Sequence, residues 1–463
     1  MRAAWPFRLF VAAVIVALTI PRLAQVGMFG DGLLYAVVAR NMSIGVGSLW
    51  WPVVTPTTWS GWFEHPPLGY GLQAIAFWTF GDGIAIERIY SVVMLATTAL
   101  VMMAIWRLVR EAETDWTPLL FWMLPSTVTW GAINNMLENT QTVFTTLAVF
   151  FVIVAVRASG GRVVMLALVA GAVTLAAVLI KGPVGLFPIG AAVLTPLLPS
   201  RPPLRSAVVI AATMSLVLIV AGAILWSLPA PHTALAGYLD TQLVPALQGR
   251  REVNGDPLAT VRHLGLGVMM RMAIVAAFFW IFGRHHLRGS LSATPAWFFL
   301  LVGLAGSLPI AVSPKLAGHY FLPSVPFFAL GFAALVAGPA NALVARAGTR
   351  TRSGLTTAAV ALLGAAIIVP MTHGAIEPRD TRLVESLRAI APSMPRDVII
   401  GTCEHEATNW RLHGYISRLF RVSLDPAGAP RAGWMLIGES GCTVPPVCAV
   451  AARGQELALL RCQ

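Results

Sequence analysis

The stretch that decides the class of this protein is "LFVAAVIVALTIPRLAQV", residues 9–26, followed at once by "GMFGDGLLYAVVARNM", residues 27–42. The first part is an apolar run close to the roughly 20 residues that a helix needs to cross a bilayer. The second part brings an acid, Asp31, within a few residues of the end of that run. A charged group so close to lipid is unfavourable unless function requires it. The stretch therefore predicts a membrane protein with an ionisable site beside its first helix.

The composition of the whole chain agrees with this class. Of 463 residues, 57% are hydrophobic and 11% are charged, and the mean hydropathy is +0.75. A soluble core cannot use so much apolar surface, so we expect an α-helical polytopic membrane protein. No small-residue cleavage site follows the first run, so we expect it to stay as a helix. The net charge of +12 fits basic cytoplasmic loops better than nucleic-acid binding, which we do not expect.

About eleven apolar runs are candidates for transmembrane helices. They are residues 9–27, 89–106, 116–133, 139–156, 163–180, 182–200, 206–228, 264–283, 291–312, 320–342 and 354–371. Arginines occupy alternate gaps between these runs, as with Arg2 and Arg8 before the first and Arg107 and Arg110 after the second. By the positive-inside rule such gaps are cytoplasmic, which places the amino terminus inside and the carboxyl terminus outside.

One apolar stretch does not fit this alternation. "PPLGYGLQAIAFWTFG", residues 66–81, is short for a crossing and contains prolines and glycines. If it crossed the membrane, the basic loops would no longer alternate. We therefore predict an amphipathic segment that lies in the outer interface, so that the first periplasmic loop is long and holds interfacial helices.

From about residue 372 the composition becomes that of a small soluble α/β module. "DTRLVESLRAIA" has helical spacing, and "DVIIGT" and "GWMLIGES" indicate buried strands. We divide the chain into a transmembrane domain, residues 1–371, and a soluble periplasmic domain, residues 372–463. The cysteines suit disulfides in an oxidising compartment; all lie in the second part, at Cys403, Cys442, Cys448 and Cys462. Its arginines are expected to form a solvated face: Arg379, Arg388, Arg411, Arg418 and Arg421.

Nearly all ionisable residues outside the basic loops and the carboxyl-terminal part fall on the outer side in this topology. The polar residues there include Asp31, Tyr35, Glu64, His65, Glu138, Lys181, Arg250, Arg251, Lys315, His319 and Tyr320. Lysine and arginine bind phosphate oxygens, and an acid beside them can take a proton from an attacking hydroxyl. The mixture therefore suits glycosyl transfer from a lipid-linked phosphate. A polytopic transporter or lipid flippase is the alternative, although a transporter would carry charges at mid-depth in broken helices.

An ordered set of segments over roughly the first 330 residues resembles the membrane-embedded glycosyltransferases of the GT-C class. The similar groups are the bacterial one that includes the aminoarabinose transferase acting on lipid A, and the protein O-mannosyltransferases. The segments are "GDGLLYAVVARNM", "EHPPLGYG", "TFGDG", "ERIYS", "NNMLENTQTVF", "KGPVG" and "HYFLPSVPFFAL". The chain departs from the pattern where Gly32 replaces a second acid, His65 a lysine and Glu138 an aspartate.

The resemblance implies an enzyme of the bacterial inner membrane. It would move a hexose or pentose from a polyprenyl monophosphate to a hydroxyl of a glycolipid, glycan or protein at the periplasmic face, with inversion at the anomeric carbon. Its partners would be this donor, the acceptor and membrane lipids. Asp31 would be the catalytic base and Glu138 the second candidate. Lys181 with Arg250 or Arg251 would hold the phosphate.

Each of these residues has a simpler reading as well. Asp31 is a good helix cap, and Lys181 could anchor two helices by snorkelling. Glu64 and His65 could bind a divalent metal or could be a hydrogen-bonded loop pair. Arg250 and Arg251 could merely face water, and His319 and Tyr320 could be interface residues. Tyr35 is a further candidate for substrate binding.

Overall fold

The computed structural model describes residues 4–110, 114–251, 256, 258–283, 295–311, 313–373, 378–438 and 444–463. Most of these residues are helical, and the strands all lie in the carboxyl-terminal part. The α-helices are α1 Trp5–Leu23, α2 Gly30–Ser43, α3 Leu68–Phe80, α4 Ile86–Val109, α5 Trp116–Met123, α6 Ser126–Ile133, α7 Leu137–Ala155, α8 Gly161–Lys181, α9 Pro188–Leu194, α10 Leu204–Ser227, α11 Pro229–Tyr238, α12 Val244–Leu247, α13 Arg271–Gly283, α14 Ala296–Ala311, α15 Val325–Arg346, α16 Thr349–His373, α17 Thr381–Ile390, α18 Glu404–Ala407 and α19 Trp410–Phe420. Shorter 3₁₀ turns are Pro183–Leu186, Thr195–Leu197, Gly318–Ser324 and Ala391–Ser393, and π-helical segments are Leu239–Leu243 and Val261–Met270.

Eight helices are long and apolar enough to cross a membrane, judged by length and composition. They are Trp5–Leu23, Ile86–Val109, Leu137–Ala155, Gly161–Lys181, Leu204–Ser227, Val261–Gly283, Gly318–Arg346 and Thr349–Thr372. Two further predicted spans correspond to the shorter apolar helices Pro183–Leu197 and Ala296–Ala311. The α-helical, multi-pass architecture is therefore confirmed, while the number of eleven crossings stays a prediction.

The predicted span 116–133 is not one helix. It is split into α5 and α6, with Leu124 and Pro125 between them, and Pro125 has an extended backbone with ψ 120°. A proline lacks the N–H that would continue the helical hydrogen bonds, and the extended backbone of Pro125 separates the two helices although Leu124 is still helical. The apolar pattern was thus correct, but the proline divides the element.

The predicted interfacial segment forms α3, whose 13 residues are too few to cross a bilayer. One side of α3 is buried, including Tyr70 and Phe77, whereas Trp78 and Phe80 are 78% and 73% exposed. An apolar side chain that faces outward on a short helix suits the interface of a membrane. The structure therefore agrees with a long first loop that contains interfacial helices.

The carboxyl-terminal part contains the predicted small α/β fold. Its strands are β1 Ile399–Thr402, β2 Ser423–Asp425, β3 Trp434–Gly438, β4 Cys448–Arg453 and β5 Leu457–Cys462. They form one sheet in the order β2-β1-β3-β5-β4, in which β1 is parallel to β2 and β3, and β5 is antiparallel to β3 and β4. The predicted helix at 380–391 and the two predicted strands correspond to α17, β1 and β3.

The core of this part includes residues from the first loop. Met28 and Leu33 pack in the same cluster as Leu387, Ile416 and Leu436. The disulfide Cys448–Cys462 joins β4 to β5, and Cys403 is disulfide-bonded as well, whereas Cys442 lies outside the described residues. A domain division at residue 372 stays a prediction, since apolar packing continues across it.

Arg418 does not belong to a solvated face, so that expectation is wrong for this residue. Its side chain is 3% exposed, and its guanidinium lies 2.9 Å from Glu87 Oε2 and 2.7 Å from Asp82 Oδ1. The helix that carries it, α19, packs on the first loop and on the start of α4, which removes Arg418 from water. Burial of an arginine is tolerated because both carboxylates compensate its charge.

Candidate functional site

Asp31 lies in the first turn of α2. The N-cap of this helix is Phe29, whose backbone is extended, and Asp31 is the second helical residue. The alternative that Asp31 caps the helix is therefore wrong. Tyr35 follows four residues later, so the two side chains share one face of α2. The helix begins here because Phe29 N donates to Asn134 Oδ1 at 2.8 Å, which holds the entry to the helix against the turn before α7.

Gly32 is fixed by the same turn. A Cβ at this position would lie 1.7 Å from the carbonyl oxygen of Asn134, and Asn135 Nδ2 donates to the carbonyl of Gly32 at 2.9 Å. Asn135 itself has a φ of +53°, a conformation that asparagine tolerates better than most residues. No second acid fits beside Asp31 at this position, which explains the departure from the family pattern in physical terms.

Lys181 and Glu138 form a buried ion pair. Lys181 is the last residue of α8, Glu138 is near the start of α7, and Lys181 Nζ lies 2.7 Å from Glu138 Oε1. Gly182 ends α8 with a φ of +97°, which favours glycine, and the hydroxyl of Tyr238 lies so close that a Cβ there would clash. The ammonium also lies 5.6 Å from the ring centroid of Tyr35 and 5.6 Å from that of Tyr320. Lys181 thus stands at the centre of the site.

His319 lies next to Glu138 as well. It belongs to the 3₁₀ turn Gly318–Ser324, which leads into α15. Its Nε2 lies 3.6 Å from Glu138 Oε1, and its ring stacks on Trp130 with centroids 5.3 Å apart. The ring also contacts Phe29, at 5.9 Å, and Tyr320, at 4.7 Å. The structure therefore places His319 beside Glu138, and Tyr320 beside Lys181.

His65 binds Tyr35 rather than acting as a cation. The Tyr35 hydroxyl and His65 Nε2 lie 2.9 Å apart. Burial, reinforced by the charges of Lys181 and Lys315, lowers the pKa of His65 well below its usual value, so the imidazole is neutral at pH 7. Burial likewise raises the pKa of Tyr35 well above its usual value. The two side chains therefore form a neutral polar pair beside Asp31.

Glu64 and Arg251 form a second pair. Arg251 Nη1 lies 3.3 Å from Glu64 Oε1 and also donates to the carbonyl of Thr241 at 3.0 Å. Burial raises the pKa of Glu64, and the Arg251 charge opposes this rise. Arg250 is exposed and contacts Gln248, so the structure does not bring it into the site.

The side chains of Glu64 and His65, although adjacent in sequence, contact different partners, Arg251 and Tyr35. Among the described residues, no three His, Cys, Asp or Glu side chains gather as metal ligands.

The charge state of Asp31 follows from its surroundings. Burial raises the pKa of its carboxyl above the usual value, while the positive charge of Lys181, and more weakly that of Lys315, lowers it, and the negative charge of Glu138 raises it. Lys315 therefore contributes to the field at Asp31, although it was not among the predicted site residues. Its position next to the "HYFLP" segment was the signal that could have included it.

Together the fold and the site define a multi-pass membrane protein in which two acids, Asp31 and Glu138, lie close to Lys181, Tyr35, His319 and Tyr320. No protein-family model and no curated protein matches the sequence.

Solved structures do match it. ArnT from Cupriavidus metallidurans, in a crystal structure bound to undecaprenyl phosphate, is 15% identical with a TM-score of 0.58, covering 98% of this chain and 97% of that chain. The apo state of the same protein has a TM-score of 0.57. The apo oligosaccharyltransferase from Archaeoglobus fulgidus is 12% identical with a TM-score of 0.50, covering 93% of this chain and 65% of that chain. The fold that the ordered motifs predict, shared with these membrane glycosyltransferases, is thereby confirmed.

Proposed function

We propose that the protein transfers a sugar from a polyprenyl monophosphate to the hydroxyl of an acceptor. The observation that carries this proposal is the placement of Asp31: it shares a face of α2 with Tyr35, and the ring of Tyr35 lies 5.6 Å from the ammonium of Lys181. A base next to cations is what the reaction needs, because a hydroxyl must lose a proton while a phosphate leaves. The similar ArnT structure holds undecaprenyl phosphate, which supports a donor of this class.

The reaction we assign is a single displacement. The acceptor oxygen attacks the anomeric carbon and forms the new glycosidic bond while the bond from that carbon to the phosphate oxygen breaks. Asp31 takes the hydroxyl proton, and the electron pair of the broken bond stays on the polyprenyl phosphate. Attack from the side opposite the leaving phosphate inverts the anomeric centre. The sugar transferred is a hexose or a pentose, and the acceptor is a glycolipid, glycan or protein.

Lys181 is our main candidate for the phosphate. An ammonium has three N–H donors, so Lys181 can donate to phosphate oxygens while it stays beside the carboxylate of Glu138. Glu138 is already bound to this cation at 2.7 Å, which suits it to hold Lys181 rather than to act as the base. We therefore prefer Asp31 to Glu138 as the base. Lys315, rather than Arg250, is our second candidate for a cation that stabilises the phosphate. Arg251 would instead hold the side chain of Glu64, with which it forms an ion pair.

The remaining polar residues would line the sugar subsite. The neutral pair of Tyr35 and His65 can both donate to and accept from sugar hydroxyls, which a lysine at position 65 could not do. His319 and Tyr320, next to Lys181, would contact the donor between its phosphate and its sugar.

We further propose that the protein lies in a bacterial inner membrane with its amino terminus in the cytoplasm and residues 372–463 as a periplasmic domain. Arginines in alternate loops and the disulfide Cys448–Cys462 support this orientation. A reporter that is active only in the periplasm, fused after residue 372, should be active. Activity of a cytoplasm-only reporter at that position would reverse the orientation and move the site to the other side.

The test of the function is transfer by the purified protein. Detergent-solubilised protein, incubated with polyprenyl-phosphate sugars and membrane extract, should release polyprenyl phosphate and label an acceptor. Asp31→Asn should slow both by about 10²–10⁴-fold. The rival function is transport or lipid flipping. Movement of the lipid-linked sugar across proteoliposomes without any release of polyprenyl phosphate would favour that rival.

A further inference from the structure

The five residues before Asp31 form hydrogen bonds with the carboxyl-terminal part of the chain. Val26 accepts a hydrogen bond from Arg379 N at 2.9 Å, and Met28 N donates to the hydroxyl of Tyr415 at 2.9 Å. The same hydroxyl lies 3.0 Å from Asp380 Oδ2, which fixes it in turn. The chain that leads into the first turn of α2 is therefore tied to α17 and α19 in the carboxyl-terminal part.

Two glycines allow this close approach. Gly27 has a φ of +76°, and a Cβ there would lie 2.1 Å from the carbonyl oxygen of Arg379. A Cβ on Gly30 would lie 1.5 Å from Cζ3 of Trp410, so the indole ring rests directly on the backbone beside Asp31. Neither glycine is needed for helix formation, and Gly30 lies within α2, where glycine weakens a helix. Their presence fits contact with α19.

The other end of α2 is tied to the same helix. Arg40, which is buried, donates to the carbonyl of Ser417 at 2.7 Å and lies 3.2 Å from Asp82 Oδ2. Arg418 lies 2.7 Å from the other oxygen of Asp82. The carboxylate of Asp82 thus joins Arg40 on α2 to Arg418 on α19. Both ends of the helix that carries Asp31 are fastened to α19.

We propose that α19 is a positioning element for the reaction: through Tyr415 and Trp410 it fixes the first turn of α2 and so aims the Asp31 carboxylate at the acceptor hydroxyl. This inference rests on the proposed glycosyl transfer with Asp31 as the base. Small displacements matter here, because a misplacement of about 1 Å in a reacting group can lower the rate roughly a hundredfold. Neither Tyr415 nor Trp410 is a catalytic residue, since each acts through the backbone of α2.

Tyr415→Phe tests the proposal because it removes only the hydroxyl. Met28 N then loses its acceptor, so the first turn of α2 is less firmly held, and we expect kcat to fall about tenfold, which corresponds to about 1.4 kcal/mol. The KM for the lipid-linked donor should stay unchanged, because Lys181, the main candidate for the phosphate, lies at the end of α8 and not on α2 or α19. The matched control is Thr57→Val, which removes a hydrogen bond from the first loop to Leu424 O, 2.7 Å long, away from α2. It should keep the wild-type kcat.

Amide hydrogen exchange gives a second measurement that does not depend on chemistry. In Tyr415→Phe, peptides covering residues 28–34 should exchange faster than in the wild type, and in Thr57→Val they should not. Trp410→Leu is the second variant if Tyr415→Phe accumulates poorly, and it should show the same two effects. Wild-type exchange in this region, or wild-type kcat, in the folded variants would overturn the positioning role. The failure of the proposed function looks different: Asp31→Asn would retain its turnover, whatever Tyr415→Phe does to exchange.

Discussion

Lys181 Nζ lies 2.7 Å from Glu138 Oε1, and the two side chains are only 8% and 2% exposed. The pair joins the end of α8 to the start of α7 and holds the cation beside Tyr35 and Tyr320. A buried pair of this kind is costly to break from one side, since the remaining charge has no compensation. The same lysine therefore carries two tasks, one in the fold and one in the proposed binding of phosphate.

These two tasks can be separated. Lys181→Met leaves Glu138 as a buried charge and should lower the free energy of unfolding by about 3–5 kcal/mol. Adding Glu138→Gln removes that charge and should recover much of the loss, but not the affinity for polyprenyl phosphate. Thermal unfolding in detergent measures the first effect, and donor binding the second. Full recovery of donor binding in the double variant would show that Lys181 does not hold the phosphate.

The pH dependence of turnover should report the carboxyl of Asp31. The base acts in its ionised form, and burial raises its pKa, so turnover is lost as the pH falls through a value above that of an ordinary aspartate. Lys315 lowers this pKa, so Lys315→Met should move the acid limb of the kcat/KM profile to higher pH. Arg388→Gln, an exposed change in α17 that removes the same charge, is the control and should leave the limb in place. If the acid limb of Lys315→Met moved to lower pH, or did not move, then the charge of Lys315 would not lower the pKa of Asp31.

His65 should work as a neutral hydrogen-bonding group. His65→Gln keeps an amide that can bond Tyr35, and losing one neutral hydrogen bond is worth about 1 kcal/mol, so kcat/KM should fall no more than roughly fivefold. The fall should be the same at pH 6 and at pH 8, because burial holds the pKa of His65 well below its usual value and keeps the imidazole neutral. Steady-state kinetics at the two pH values measures it. A loss that appears only at pH 6 would mean that the imidazole acts as a cation.

Arg418 should be a large contributor to stability. Arg418→Met leaves Glu87 buried without its guanidinium, which should cost about 3–5 kcal/mol and lower Tm. The control is Arg421→Gln, which breaks a more exposed pair with Asp397 and should cost at most about 1 kcal/mol. Calorimetry or thermal unfolding of the solubilised protein compares the two. If both variants lost equally little stability, the ion pairs of Arg418 would contribute no more than an exposed ion pair does.

Much of the fold can be predicted from sequence because helices that cross a membrane must be long and apolar. The runs at 206–228 and 354–371 correspond to α10 and α16. The helical spacing of the apolar residues in "DTRLVESLRAIA" predicts α17. The break at Pro125 was visible in the sequence, but the length of the apolar run outweighed it. Local patterns of this kind do not depend on the rest of the chain.

The pairing of side chains could not be predicted in the same way. Nothing in the sequence shows that Lys181 meets Glu138, that Arg251 turns to Glu64, or that Arg250 faces water beside it. Charged residues on an amphipathic helix are usually exposed, so the sequence alone predicts that Arg418 faces solvent. Its burial depends on how α19 packs on the first loop, which is a tertiary contact over more than three hundred residues.

Asp31→Asn tests the central claim most directly. Asparagine keeps the shape of the side chain, and Phe29 rather than Asp31 is the N-cap, so the amount of folded protein and the affinity for polyprenyl phosphate should stay unchanged. Removing the proton acceptor should lower sugar transfer per folded protein by about 10²–10⁴-fold. Turnover close to that of the wild type would remove Asp31 from the chemistry and make Glu138 the next candidate for the base.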